Sequence, residues 1–152
     1  MNAKVQLDDL QSSVWRLFLT AHARLLERIE LKLAQADLPP LDWYDVLFTL
    51  KEAPDYRLRL SELAEKVLLS RSNLTRLVDR LEKAGLLRRD ACPSDRRGTF
   101  AVLTDAGLAM QQQIWIVYAD AIAEYFACHL QDEEEIKILQ RVLSRLLIAA
   151  EP

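Results

Sequence analysis

A mainly α-helical fold carrying one small β wing is predicted for this chain by three observations. Apolar residues recur at spacings of three and four along most of the sequence, the period of amphipathic helices. Glycine is scarce, with three residues in 152, and strand-like runs are few. The two short β-like segments, Leu86–Asp90 and Thr99–Leu103, are joined by a polar loop from Ala91 to Gly98 that reads as a hairpin tip. A hydrophobic share of 51% over this length is enough for one domain with its own core, spanning residues 1–152.

The elements follow in order. From about Leu7 to Ala36, Val14, Leu17, Phe18, Ala21, Leu25, Ile29 and Leu33 fall on one stripe of a long helix. Trp15, Leu19 and Leu26 add a second apolar face, so one side is expected to meet its own domain and the other a partner. Pro39 and Pro40 then break the chain. Asp42–Lys51 reads as a short helix, with Asp42 at the N-cap and Asp45 three residues on, in a variant of the capping box. The stretch from Ala53 to Leu60 is expected to be a loop.

Ser61 opens the next helix as an N-cap, Glu62 suits the positive end of its dipole, and Leu63, Ala64 and Val67 share one face. Leu68 and Leu69 make a tight apolar turn, and Ser70 is expected to cap a second helix. That helix places Leu74, Leu77, Val78 and Leu81 on a buried stripe and stops at Gly85. Its other face presents Arg71, Ser72, Asn73, Thr75, Arg76 and Arg80. Helix, turn, helix and an arginine-tipped hairpin are together the plan of a winged helix-turn-helix, here over 42–103.

After the wing, Thr104 and Asp105 start a long helix to about His129, whose later half is apolar on most faces. Asp132 and Glu135 form a further cap pair. Ile136, Leu139, Val142, Leu143, Leu146 and Leu147 line the last helix on one stripe. More apolar surface is offered than a lone small domain buries, so helices 7–36 and 104–150 are expected to form a homodimer interface. The alternative is an intramolecular helical core.

The chemistry of the winged segment suits double-stranded DNA. A helix carrying Ser70, Arg71, Ser72, Asn73, Thr75, Arg76 and Arg80 fits a major groove, where such side chains meet base edges and phosphates. A thin loop carrying Ser94, Asp95, Arg96 and Arg97 suits the negative potential of a minor groove, with Asp95 orienting a neighbouring arginine. Between Ser70 and Arg97 eight basic residues face four acidic ones, a surplus of four in a chain of net charge −3. A winged module used only for protein contacts is the competing reading.

Catalysis is not expected. His22 and His129 alone do not assemble a nucleophilic constellation, no phosphate-cradling glycine loop exists, and metal-ligand spacings are absent. No cofactor is expected either, and both histidines read as ordinary helix residues. Asp120 and Glu124 interrupt the most apolar helix, and the start of the chain lacks a basic residue followed by an apolar block. No membrane partner is expected, and the location is expected to be cytoplasmic. Two cysteines far apart make no disulfide framework.

The run LSRSNLTRLVDRLEKAGLLRR followed by PSDRRGTFAVLT resembles the MarR (multiple antibiotic resistance regulator) family of bacterial dimeric repressors. The likeness covers nearly the whole chain. It implies a triangular homodimer, a short palindromic operator and control by a small molecule or an oxidant. Peroxide-sensing members carry a reactive cysteine near the start of the first helix, and none stands there in this sequence. Cys128 reads as helix packing. Cys92 reads as an exposed wing residue whose thiol the arginines at 88, 89, 96 and 97 would activate if it had a redox role. The urate-responsive branch carries a Trp in the first helix, an Asp early in the second and two Arg in and after the recognition helix. Trp15, Asp45, Arg76 and Arg88 resemble that set, which implies a pocket for a small planar anionic or aromatic effector. Each also has a plain reading: Trp15 as core, Asp45 as a cap, Arg76 as a phosphate contact and Arg88 as a common wing residue.

Overall fold

Asp8 starts the first helix: its carboxylate accepts the Gln11 amide at 2.7 Å, and its own amide donates to the Gln11 side chain at 3.1 Å. The computed structural model describes residues 6–94 and 98–151, the Arg71 side chain excepted. Its helices are α1 (Asp9–Gln35), α2 (Leu41–Glu52), α3 (Leu60–Lys66), α4 (Leu74–Lys83), α5 (Asp105–Tyr125) and α6 (Glu133–Ala150). Strands β1 (Arg57–Arg59), β2 (Leu87–Ala91) and β3 (Thr99–Leu103) form one antiparallel sheet in the order β1-β3-β2. The fold class expected from the sequence, mainly α with a small β wing, is the one observed.

Internal contacts divide the chain into a winged unit, Ile29–Ala119, and a helical unit made of the residues up to Arg28 with those from Asp120 on. The core of the winged unit is built from Leu33, Leu41, Val46, Leu47, Leu50, Leu63, Val67, Leu77, Leu81 and Ile114, each essentially inaccessible. Leu74, Leu77, Val78 and Leu81 are the buried stripe of α4, as their spacing predicts. Gly85 ends that helix in the left-handed conformation (φ +74°), and Leu86 N donates back to Leu81 O at 3.0 Å. Gly107 allows α5 to pack against the Leu86 carbonyl, with which a Cβ would collide. On α2 and α5, Tyr44 stacks with Phe48 and Trp115, with Tyr118 edge-on. Burial above all raises the Tyr44 and Tyr118 phenols above the ordinary value.

Several local expectations are corrected. Asp42 does not cap α2. The cap position is Pro40, and the first amide, Leu41 N, donates to the Glu30 carboxylate at 3.0 Å. Asp45 belongs to no capping box at that helix start. Ser61 does not cap α3, which begins one residue earlier; Glu62 accepts the Arg59 amide at 2.9 Å. Ser70 makes no capping bond, and a single 3-10 turn, Arg71–Asn73, precedes α4. The expected loop 53–60 contains a 3-10 turn, Pro54–Tyr56, followed by β1, whose Arg57, Leu58 and Arg59 pair with Val102, Ala101 and Phe100 of β3.

In the helical unit, Asp132 caps α6 by accepting Glu135 N at 2.8 Å, and Glu135 accepts Gln131 N at 2.7 Å. Of the seven residues of the long α1 stripe only Ile29 and Leu33 are buried, and both lie in the winged unit. Val14, Leu17 and Phe18 are exposed, as are Leu146, Leu147 and Ile148 on α6, which has no buried residue. Cys128, expected to pack, is exposed in a 3-10 turn after α5, its thiol donating to Glu124 O at 2.9 Å. No helix among the described residues is long and apolar enough to cross a membrane.

Candidate nucleic-acid interface

Burial of one face of α4 dictates what the other presents. With Leu74, Leu77, Val78 and Leu81 turned into the core, the helical period leaves Ser72, Asn73, Thr75, Arg76 and Arg80 exposed. Among the described residues no side chain caps the N-terminus of α4, which continues directly from the 3-10 turn Arg71–Asn73. An open groove of about 710 Å³ runs beside this face, lined by Ser61 and Ala64 of α3, by Ser72, Asn73, Thr75 and Arg76, and by Arg89 of β2.

Ser70, expected on that face, is instead buried at 2% exposure, and its hydroxyl donates to Asp45 at 2.9 Å. The Asp45 carboxylate also accepts Leu68 N at 2.9 Å and Leu69 N at 2.7 Å. The residue expected either to cap α2 or to meet a ligand therefore holds the turn between α3 and α4. The signal in the sequence was a carboxylate one helical turn after Leu41, on the face that buries.

Not all the positive charge faces outward. The Arg89 guanidinium lies 2.6 Å from Asp79 and 3.2 Å from Glu82, both on or next to α4's outer side. The hydrogen bond to Asp79, foremost, raises its pKa above the ordinary arginine value. Arg88 pairs with Asp90 on its own strand at 3.2 Å. Two of the eight basic residues are thus neutralised locally. Two further basic residues lie outside the stretch 70–97. Arg57 and Arg59 stand on β1, Arg57 over the Phe100 ring at 4.8 Å and Arg59 donating to Ser94 Oγ at 3.3 Å. Their signal was too faint, because a three-residue Arg-Leu-Arg strand has no visible period.

Ser94 is exposed at the root of the wing. Asp95, Arg96 and Arg97, expected at its tip, lie outside the described residues, as does the Arg71 side chain. Cys92 is not the exposed residue expected: it is buried, with Sγ 3.3 Å from Ser94 Oγ. Of the expected effector residues, Trp15 lies in the helical unit, 57% exposed and paired with Phe18. Asp45, Arg76 and Arg88 lie in the winged unit, and among the described residues no hydrogen bond or ion pair joins any two of them. Each has a separate environment: the α3–α4 turn, the groove and Asp90.

The MarR family model matches residues 43–99, the stretch that carries this geometry. Among solved structures, the chain is similar to Sco3205, a MarR family transcriptional regulator from Streptomyces coelicolor solved in complex with DNA. The two are 32% identical with a TM-score of 0.89, and the match covers 100% of this chain and 94% of that one. AbsC, a MarR family regulator from the same organism, is 31% identical with a TM-score of 0.83, covering 95% of this chain and 96% of that one. The HTH-type transcriptional regulator MhqR of Bacillus subtilis is 36% identical over 87 residues, which are 57% of this chain and 59% of MhqR. The chain spans about three fifths of the length of the first curated relatives it matches. These relatives are transcriptional regulators and not enzymes.

Proposed function

The chain belongs to the MarR family of transcriptional regulators, and from that premise we propose that it binds double-stranded DNA sequence-specifically as a homodimer and represses transcription. The observation that carries this is the exposed row Ser72, Asn73, Thr75, Arg76 and Arg80 on a helix whose opposite face is locked in the core. Such a row supplies hydroxyl, amide and guanidinium groups to base edges and phosphates along one groove. A dimer presents two such helices, and a two-fold protein reads a palindrome. The exposed apolar residues of α1 and α6 support the dimer, because a monomer would leave Leu10, Leu17, Leu147 and Ile148 in water. On this reading the protein acts in the cytoplasm, with the chromosome.

The deciding experiment is a titration of the DNA upstream of the protein's own gene against an unrelated duplex, at two salt concentrations. Preference for the upstream DNA that persists at the higher salt supports the reading. Equal, steeply salt-dependent binding to both, or none to either, overturns it.

Release by a small planar anionic or aromatic ligand completes the proposal. Trp15 offers an exposed indole face for stacking, and Arg76 an exposed guanidinium. Arg88 is exposed too while paired with Asp90, which a ligand anion would have to displace. A ligand shifts the DNA equilibrium only by its preference for the non-binding arrangement. Trp15→Phe should keep the fold and DNA binding and weaken the ligand response; an unchanged response removes Trp15 from the site.

A further inference from the structure

We propose that Asp45 is a positioning residue for DNA reading: from α2, its carboxylate sets the turn that aims α4. The inference rests on the DNA-binding reading above and adds how the recognition face is held. Val67 leaves α3 in extended conformation, so the amides of Leu68 and Leu69 point away from any helical acceptor. A partly buried amide without a partner is costly, and Asp45 supplies the partner for both. Its Oδ2 accepts Leu68 N at 2.9 Å, Leu69 N at 2.7 Å and the Ser70 hydroxyl at 2.9 Å, while Oδ1 shares Leu68 N at 3.1 Å. Hydrogen bonds to a charged acceptor are the stronger kind.

Three consecutive residues are therefore tied to one carboxylate on another helix. That helix is itself anchored in the core, since Leu41, Val46, Leu47 and Leu50 around Asp45 are fully buried. Directly after Ser70 comes the 3-10 turn Arg71–Asn73, and then α4. A displacement at Ser70 is carried rigidly to Ser72, Thr75 and Arg76. Phosphate contacts tolerate such a displacement, because a charge attracts over several ångströms; base contacts do not, because hydrogen bonds need distance and angle together. Loss of the clamp should thus cost specificity before it costs general affinity for DNA. With Oδ2 already accepting three donors, Asp45 also has little left for an effector.

The test uses the full-length protein with Asp45→Asn and, separately, Ser70→Ala. Asparagine keeps the size but loses the charge, and turns an NH2 group toward one of the donors. Three quantities are measured: amide exchange at Leu68 and Leu69, affinity for the preferred upstream duplex, and affinity for an unrelated duplex of equal length. For Asp45→Asn, exchange at both amides should quicken by about tenfold or more. The preferred duplex should bind about tenfold more weakly, and the unrelated one within about twofold of the wild type with the same salt slope. Ser70→Ala removes one of the three donors, should fold if Asp45→Asn does not, and should lower the ratio of the two affinities by a smaller factor. A role confined to stability would lower both affinities together, in step with the melting temperature. The proposal is overturned if Asp45→Asn, or Ser70→Ala where the former is unfolded, keeps the wild-type affinity ratio. Amides as protected in Asp45→Asn as in the wild type overturn it equally. A wild type that does not discriminate between the duplexes would instead refute the DNA reading itself, and the amide exchange would still report on the clamp.

Discussion

Arg89 on β2 and Asp79 on α4 meet at 2.6 Å, so the first strand of the wing is fastened to the helix that carries the recognition face. Glu82 joins from one turn further along at 3.2 Å. The acids at 79 and 82 are half exposed, so solvent screens the attraction and the pair is worth no more than about 1 kcal/mol to stability. Arg89→Ala should lower the melting temperature by roughly 2–4 °C. The larger effect should be on DNA, because the wing loses its tether to α4. Equal affinity for the upstream duplex in Arg89→Ala and wild type would show that the two parts are positioned independently.

Arg76→Ala and Arg96→Ala should each weaken binding to the upstream duplex by about 1–3 kcal/mol, whereas Lys51→Ala should leave it unchanged. Arg76 lines the groove beside α4, Arg96 belongs to the wing tip by sequence, and Lys51 stands near the end of α2. Where the lost contact is to phosphate, the slope of log affinity against log salt should fall by about 1. Fluorescence anisotropy at several salt concentrations checks all three.

Removing residues 136–152, most of α6, should abolish the homodimer and give aggregates or unfolded protein. Leu146, Leu147 and Ile148 are at least half exposed in one chain, as are Val14 and Leu17 on α1. A soluble folded monomer by light scattering after the truncation would contradict the assignment of these surfaces to a partner copy.

Glu30 gives a pH dependence with a definite sign. Burial, first of all, raises its carboxyl above the ordinary value, with the hydrogen bond from Leu41 N opposing and Asp42 adding to the rise. A carboxyl raised in the folded state favours the fold below its unfolded pKa, and that contribution is lost as pH climbs through the folded pKa. Glu30→Gln keeps an acceptor for Leu41 N without the charge. It should therefore melt higher than wild type at neutral pH, with the gap closing as pH falls into the carboxyl range. A gap that widens on acidification would reverse the assignment.

The stripe of α4, the stop at Gly85 and the hairpin were legible in the sequence because helix period and turn chemistry are local signals. What escaped was set by contacts distant in sequence. Asp45 and Ser70 each look like a cap, since both residue types cap helices, and only the folded chain brings the two together across 25 positions. In the sequence Arg89 counts only as positive charge, because its acids lie ten and seven positions earlier, on a different element. Strand β1 exists only through its pairing with β3, more than 40 residues away by its register. The burial of Cys92 could not be told from its polar neighbours. The exposed stripe of α1 was read correctly as apolar; a pattern shows that a face is greasy, not which chain covers it.

The three-stranded sheet also bears on aggregation. With β3 in the centre, β1 and β2 are its edges, and an open edge is a template for a strand of another molecule. Here one edge is three residues long with an arginine at each end, and the other carries Arg88, Arg89 and Asp90 in succession. Short, charged edges resist such pairing. The charged residues of both edges thereby also disfavour the joining of two such sheets edge to edge.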